Sequence, residues 1–315
     1  MKFSVILRTF NRPDFLREAL LSVFLQTHQD WEVIIFDDGG TVENFRIFSK
    51  FKQFNSEKRI IYLTSKTPRE LFKSSWNQSF QLADGDLVIR LDDDDILEKT
   101  CFSYLEKIYT EHPKLDFSYG SMFSFSENKL IGSGISFTPV EHPPTRSIWA
   151  GYIEGYPYNS PWTFYDDFYE TPRHFTSIIH ASKSNYMCVC HPMVFRKSTV
   201  SKFSERIHVT SNYVDDLEFL GSLDNLGLCH TALKKKLIYF RHHNLDRVTN
   251  DPSLFNDIFR VRNEVDKNWR TEDFKSNLHE TILSDYEREN EVTEQDQLEF
   301  EEFSTQIKEN LILFD

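Results

Sequence analysis

Residues 3–40 read FSVILRTFNRPDFLREALLSVFLQTHQDWEVIIFDDGG. The opening FSVIL, residues 3–7, is an apolar run of strand length. Behind it Phe15, Leu16, Ala19, Leu20, Val23 and Phe24 recur at three- and four-residue spacing, the period of an amphipathic helix. Pro13 stands near the first helical turn, where its missing N–H costs nothing, so Arg8 to Arg12 form a loop at the carboxyl end of the first strand. A second apolar run, WEVIIF, ends in Asp37, Asp38, Gly39 and Gly40. Strand, helix, strand in this order implies a parallel pair, because parallel neighbours need a crossover connection.

The alternation continues outward. Residues 59–63 (RIIYL) and 87–91 (LVIRL) read as further strands, and between them Leu71, Phe72, Trp76, Phe80 and Ala83 mark a helical stretch. The fold class is therefore α/β with a mostly parallel sheet, and in such sheets ligands bind at the carboxyl ends of the strands. The most polar clusters fall there: Thr9 to Arg12 after the first strand, Asp37 and Asp38 after the second, and Asp92 to Asp95 after the fourth.

From about 115 to 140 polar and apolar residues alternate around Glu127 and Asn128, the pattern of a hairpin. Residues 142–185 follow with Trp149, Tyr152, Tyr156, Tyr158, Trp162, Phe164, Tyr165, Phe168 and Tyr169, a length and composition expected of a lid or binding loop. A strand is expected near Met193 to Phe195, a helix from about Asp215 to Leu226 and a strand near Leu237 to Phe240. Beyond 251 the chain is acidic and helical in pattern, with Leu298, Phe300, Phe303, Ile307 and Leu311 as an apolar stripe. This divides the chain into a main domain, 1–250, with halves 1–98 and 99–250, and a helical extension, 251–315.

A length of 315 residues suits one such domain with an appendage. The net charge of −13 argues against nucleic acid, whose binding is driven largely by Lys and Arg, and against broad contact with anionic lipid. No run approaches the roughly 18 apolar residues of a membrane span, and the first residues lack a signal peptide's apolar region, so a cytoplasmic protein without a transmembrane segment is expected. Cys101, Cys188, Cys190 and Cys229 form neither a disulfide framework nor a CxxC pair.

Four consecutive aspartates, Asp92 to Asp95, are the sharpest chemical signal. Two carboxylates about 6 Å apart repel by roughly 3 kcal/mol at an effective dielectric near 20, a repulsion that a hard cation removes. Mg²⁺ or Mn²⁺ uses one or two carboxylates and fills its remaining positions with water and substrate phosphates, which suits a short acidic turn. The same residues could form a solvated turn or a structural Ca²⁺ site. Asp37 and Asp38 could cap a turn, or accept hydrogen bonds from a base or from ribose hydroxyls. Asp215 and Asp216 open a helix, where the macrodipole favours them regardless of function; facing a ligand, an aspartate there is a candidate general base. Of His242 and His243, one imidazole beside carboxylates and phosphate oxygens would complete an octahedral site.

Together these segments resemble the family 2 glycosyltransferases. The likeness lies in Thr9, Phe10 and Asn11, in Ser22 to Thr27, in Glu32 to Ile34 and in Asp37 to Gly39. It continues through Asn77, Ala83, Gly85 and the Asp tetrad, and weakens until HPMVFR (191–196), VDDLEF (214–219) and YFRHH (239–243). The resemblance implies a GT-A fold whose front half binds a nucleotide sugar and whose rear half binds the acceptor. It implies transfer with inversion from a nucleotide-diphosphate donor, UDP-linked by preference, to a saccharide, glycolipid or protein hydroxyl. It assigns Asp38 to the base, Thr9, Phe10, Asn11, Arg12, Asn77, Asp92 and Asp93 to the rest of the donor, Asp94 with Asp92 and His243 to Mn²⁺ or Mg²⁺, and Asp216 to proton abstraction. Arg8 in place of Pro, Trp76 in place of Arg and Asp215 in place of Glu depart from the family pattern. A nucleotidyltransferase would show a Gly-rich basic phosphate loop, which LRTFNRP lacks. A catalytically inactive sugar-nucleotide-binding module is the remaining alternative. The C-terminal helices offer a possible homo-oligomer contact.

Overall fold

The computed structural model describes residues 1–65, 75, 78–139, 148–150, 163–164, 168–171, 186–189, 192–200, 230–243 and 292–314. Trp76, Asn77, most of the aromatic segment, and the stretch holding Asp215 and Asp216 lie outside the described residues.

The front half has the strands and first helix read from sequence, β1 (Phe3–Thr9), α1 (Pro13–Phe24), β2 (Trp31–Asp37), β3 (Ile60–Thr64) and β4 (Leu87–Asp92), and between β2 and β3 a helix not read from sequence, α2 (Val42–Phe54). The helix expected from Leu71 to Ala83 lies partly outside the described residues. β1 lies between β2 and β4, parallel to both, and β3 extends the sheet beyond β2. Every residue of β1 and β2 is buried, as expected of strands covered on both faces. Leu16, Ala19, Leu20 and Val23 are the face of α1 that packs on them, and Pro13 opens that helix.

After β4 come β5 (Ile96–Leu97), α3 (Cys101–Glu111), the hairpin β6 (Phe117–Ser126) and β7 (Lys129–Pro139), then β8 (Ile148–Ala150), β9 (Thr163–Phe164), β10 (Phe168–Thr171), β11 (Tyr186–Val189), β12 (Met193–Arg196) and β13 (His230–Arg241). The sheet runs β3-β2-β1-β4-β12-β6-β13-β10-β9, with the switch to antiparallel pairing where β12 joins β4. The hairpin turns at Glu127, whose φ is 56°. β13 is much longer than the 237–240 run suggested, because Lys235 and Lys236 break the apolar pattern while the backbone stays paired to β6 through two register shifts.

The register brings the polar clusters to one rim. Thr9 pairs with Asp37 and Arg8 with Asp92, so the carboxyl ends of β1, β2 and β4 finish level. The opposite rim is locked by Glu32, enclosed and accepting from Ser4 Oγ at 2.6 Å, the Asp84 N–H at 2.6 Å and Arg59 Nη1 at 3.0 Å. Gly85 is required there, since a Cβ would stand 2.7 Å from the Lys2 carbonyl and from Ser4.

The C-terminal helix α4 (Glu294–Asn310) starts with a capping box between Thr293 and Asp296. It lies on the main domain, with the Phe300 ring 5.0 Å from Phe125 and 4.8 Å from Tyr239. Phe300, Phe303 and Ile307 are buried within the same chain, whereas Leu298, placed in the stripe by spacing, is 59% exposed. Phe300→Ala should therefore cost about 3–5 kcal/mol, the usual price of a buried Phe truncated to Ala, read as a fall in melting temperature. Among the described residues no helix is long and apolar enough to cross a membrane.

Candidate active site

The site begins with the loop Thr9 to Arg12. Asn11 has φ 52°, a left-handed conformation Asn tolerates, and its side chain lies where a Cβ on residue 39 would be, 2.0 Å from Oδ1. Asn11 and Gly39 therefore interlock the first loop with the aspartate-glycine turn. A second tie is the Asp38 N–H, which donates to the Thr9 carbonyl at 3.0 Å.

The two aspartates of that turn have separate environments. Asp37 Oδ1 accepts from the N–H groups of Gly39 and Gly40, each at 3.0 Å, and Oδ2 accepts from the Tyr62 hydroxyl. Asp37 thus shapes the turn. Burial, and then the hydrogen bond to Asp37, push the Tyr62 phenol well above its ordinary pKa. Tyr62→Phe should cost about 1–3 kcal/mol, because it leaves a buried carboxylate oxygen without its donor; thermal unfolding measures it.

The four aspartates after β4 also separate. Asp92 accepts from Arg90 Nε at 3.3 Å and Nη2 at 3.2 Å, and from Arg8 Nε at 3.4 Å. Asp93 has a fully enclosed side chain that accepts from Thr9 Oγ1 at 2.7 Å, from the Phe10 N–H at 3.3 Å and from Arg12 through Nε, at 3.2 Å, and Nη2. Burial pushes the Asp93 carboxyl up to about 7; Arg12 opposes this and the neighbouring Asp94 charge adds to it. Asp94, with 15% of its side chain exposed, presents Oδ2 both to Arg12 Nη1 at 2.7 Å and to His243 Nε2 at 3.0 Å. Asp95 Oδ1 accepts from the Arg241 N–H at 3.3 Å.

Thr9, Phe10, Arg12, Asp93, Asp94 and His243 are therefore joined in one hydrogen-bonded group, with Asn11 and Asp38 at its edge. Asp93, assigned to the donor, is engaged inside the protein, holding the first loop to the acidic turn.

A divalent cation would find two donors together, Asp94 Oδ2 and His243 Nε2. Among the described residues no group of three or more His, Cys, Asp or Glu gathers around one point, and Asp92 is turned toward Arg8 and Arg90. Two protein donors fit an ion that takes its other ligands from phosphates and water. Imidazole ligation through Nε2 requires the tautomer with its proton on Nδ1.

Arg241, Glu18 and Arg90 belong to the site and were not singled out from sequence, and Arg8, noted there only as a departure from the family pattern, joins them through Asp92. The Arg241 guanidinium lies 4.6 Å from the Phe15 ring centre and 4.5 Å from that of Phe125, donates through Nε to the Asp94 carbonyl at 3.0 Å and pairs with Glu18. It fixes the acidic turn against α1 and β6. Its place two residues before His243, in YFRHH, was the available signal.

Residues 4–202 match the model of the family described as Glycosyl transferase family 2. The chain belongs to that family. Relatives in sequence include Protein CgeD of Bacillus subtilis, 31% identical over 126 residues, which are 38% of this chain and 28% of CgeD. Another is the GalNAc(5)-diNAcBac-PP-undecaprenol beta-1,3-glucosyltransferase of Campylobacter jejuni, 31% identical over 33% of each chain. The chain thus spans about a third of the length of these relatives. Among solved structures, S. aureus TarS 1–349 in complex with UDP superposes with a TM-score of 0.56 at 18% identity, over 91% of this chain and 70% of that one. The corresponding complex with UDP-GlcNAc gives 0.56 at 17% identity, over 92% and 72%. The family 2 fold is GT-A, as the resemblance implied.

Proposed function

We propose that this chain is a glycosyltransferase that moves a sugar from a nucleotide-diphosphate donor, UDP-linked, to an acceptor hydroxyl with inversion and with the help of Mn²⁺ or Mg²⁺. The observation that carries this reading is the contact of Asp94 with His243, 3.0 Å apart, on the same rim as the Asp38 turn and the Thr9–Arg12 loop. The family membership supports the reaction class. The UDP and UDP-GlcNAc complexes of TarS support the choice of nucleotide.

In this reading Asp38 and the Asn11 loop receive the nucleoside, the family resemblance assigns Asn77 and Asp92 to the donor as well, and Asp94 with His243 would hold the cation. The cation, when bound, stabilises charge developing on the leaving diphosphate. Asp216 deprotonates the acceptor hydroxyl, which then attacks the anomeric carbon from the face opposite the leaving group. The aromatic composition of residues 149–175 suits stacking on sugar faces and exclusion of water.

A panel of UDP-sugars incubated with Mn²⁺ tests the proposal through UDP release. Release from at least one donor, together with a melting temperature raised more by Mn²⁺ and UDP jointly than by either alone, is expected. The joint stabilisation without any release would favour an inactive binding module. Release of pyrophosphate from a nucleoside triphosphate would favour a nucleotidyltransferase.

A further inference from the structure

Asp94 Oδ2 has two partners, and both bear on the cation. His243 Nε2 lies 3.0 Å away and would become a ligand beside it. Arg12 Nη1 lies 2.7 Å away and carries a charge of the same sign as the metal. Its acidic neighbours outweigh the effect of burial and keep the guanidinium protonated. A divalent ion approaching Asp94 Oδ2 therefore meets a positive group already on that oxygen.

The rest of the guanidinium is held elsewhere. Nε and Nη2 form a fork on the two oxygens of Asp93, which is enclosed and held in turn by Thr9 Oγ1 at 2.7 Å. Planar bidentate pairs of this kind are the strong ones. Only Nη1 can leave its carboxylate without breaking the fork.

We propose that Arg12 is the exchangeable counter-cation of the acidic turn: it neutralises Asp94 in the absence of donor, cedes Oδ2 of Asp94 when the donor arrives with its metal, and gives its released Nη1 to a diphosphate oxygen. Asp93 acts as the anchor that keeps the group in place during the exchange. The inference rests on the metal-assisted reading above and adds to it a reason for metal and nucleotide to bind together. Metal alone must displace a cation that gains no new partner. Metal with diphosphate supplies that partner.

The test is Mn²⁺ binding, followed by the electron paramagnetic resonance of the free ion, in the wild type and in Arg12→Met, with and without UDP. Without UDP the variant should bind Mn²⁺ about tenfold tighter, the scale of one charge-assisted hydrogen bond. The factor by which UDP tightens Mn²⁺ binding should shrink about tenfold, and UDP affinity at saturating Mn²⁺ should fall. Unchanged or weaker Mn²⁺ binding by a folded Arg12→Met protein, with the wild type binding normally, overturns the role of Arg12 alone. A wild type that binds no Mn²⁺ even with UDP overturns the metal reading and this inference with it. Arg12→Gln, which retains a donor for Asp93 but carries no charge, must shift Mn²⁺ affinity in the same direction and serves if Arg12→Met does not fold.

Discussion

Asp216→Asn is expected to slow sugar transfer about 10²- to 10⁴-fold, the range typical for loss of a general base, while affinity for UDP stays near that of the wild type. Asparagine matches aspartate in size but cannot accept the proton of the acceptor hydroxyl. Asp215→Asn is the internal control. If Asp215 only favours a helix start, its loss costs roughly 0.3–1 kcal/mol of stability and little rate. Parallel measurement of transfer and of UDP affinity decides the matter. Equal transfer by Asp216→Asn and the wild type would remove Asp216 from the mechanism, and an inactive Asp215→Asn would move the assignment by one residue.

Asp94→Ala should reduce metal-dependent transfer by about 10³-fold, because charge stabilisation by a bound ion supplies several kcal/mol to the transition state. The variant should also lose the additional melting-temperature rise given by Mn²⁺ with UDP. It should fold, since its side chain is partly exposed and Arg12 keeps the Asp93 fork. Asp92→Ala makes a useful contrast. That substitution takes the carboxylate away from Arg8 and Arg90, so its main effect should be on stability. A full Mn²⁺ and UDP response from Asp94→Ala would exclude Asp94 as a ligand.

The front of the fold was legible because periodicity and termini agreed. The buried face of α1, the start at Pro13 and, to within a residue, the carboxyl ends of β2 and β4 fall where local pattern puts them. β1 runs two residues further, through Thr9, because Arg8 stays paired to both neighbouring strands and Thr9 to β2. The site was legible as a set of clusters and not as a set of roles. Four identical letters at 92–95 give no sign that Asp93 is enclosed while Asp94 meets His243; that follows from the turn in which the Asp95 N–H donates to the Asp92 carbonyl at 3.2 Å. Arg241 and Glu18 stand 223 positions apart in the chain, and only the packing of β13 beside the acidic turn makes them partners. Leu298 shows the limit of spacing: it fits the helical stripe, yet α4 is rotated so that Phe300, Phe303 and Ile307 make the contact.

The depth of the Asp93 carboxylate also sets how the site answers to ionic strength. Dissolved ions screen exposed charges over about 8 Å at physiological salt but act far less on buried pairs. The Arg12–Asp93 fork, with Arg12 partly exposed but the Asp93 carboxylate enclosed, is screened far less. Surface pairs such as Arg17 with Glu43 are screened more. Added salt can therefore loosen the outer face of α1 and weaken the first approach of an anionic nucleotide, while the joint between the first loop and the acidic turn keeps its geometry.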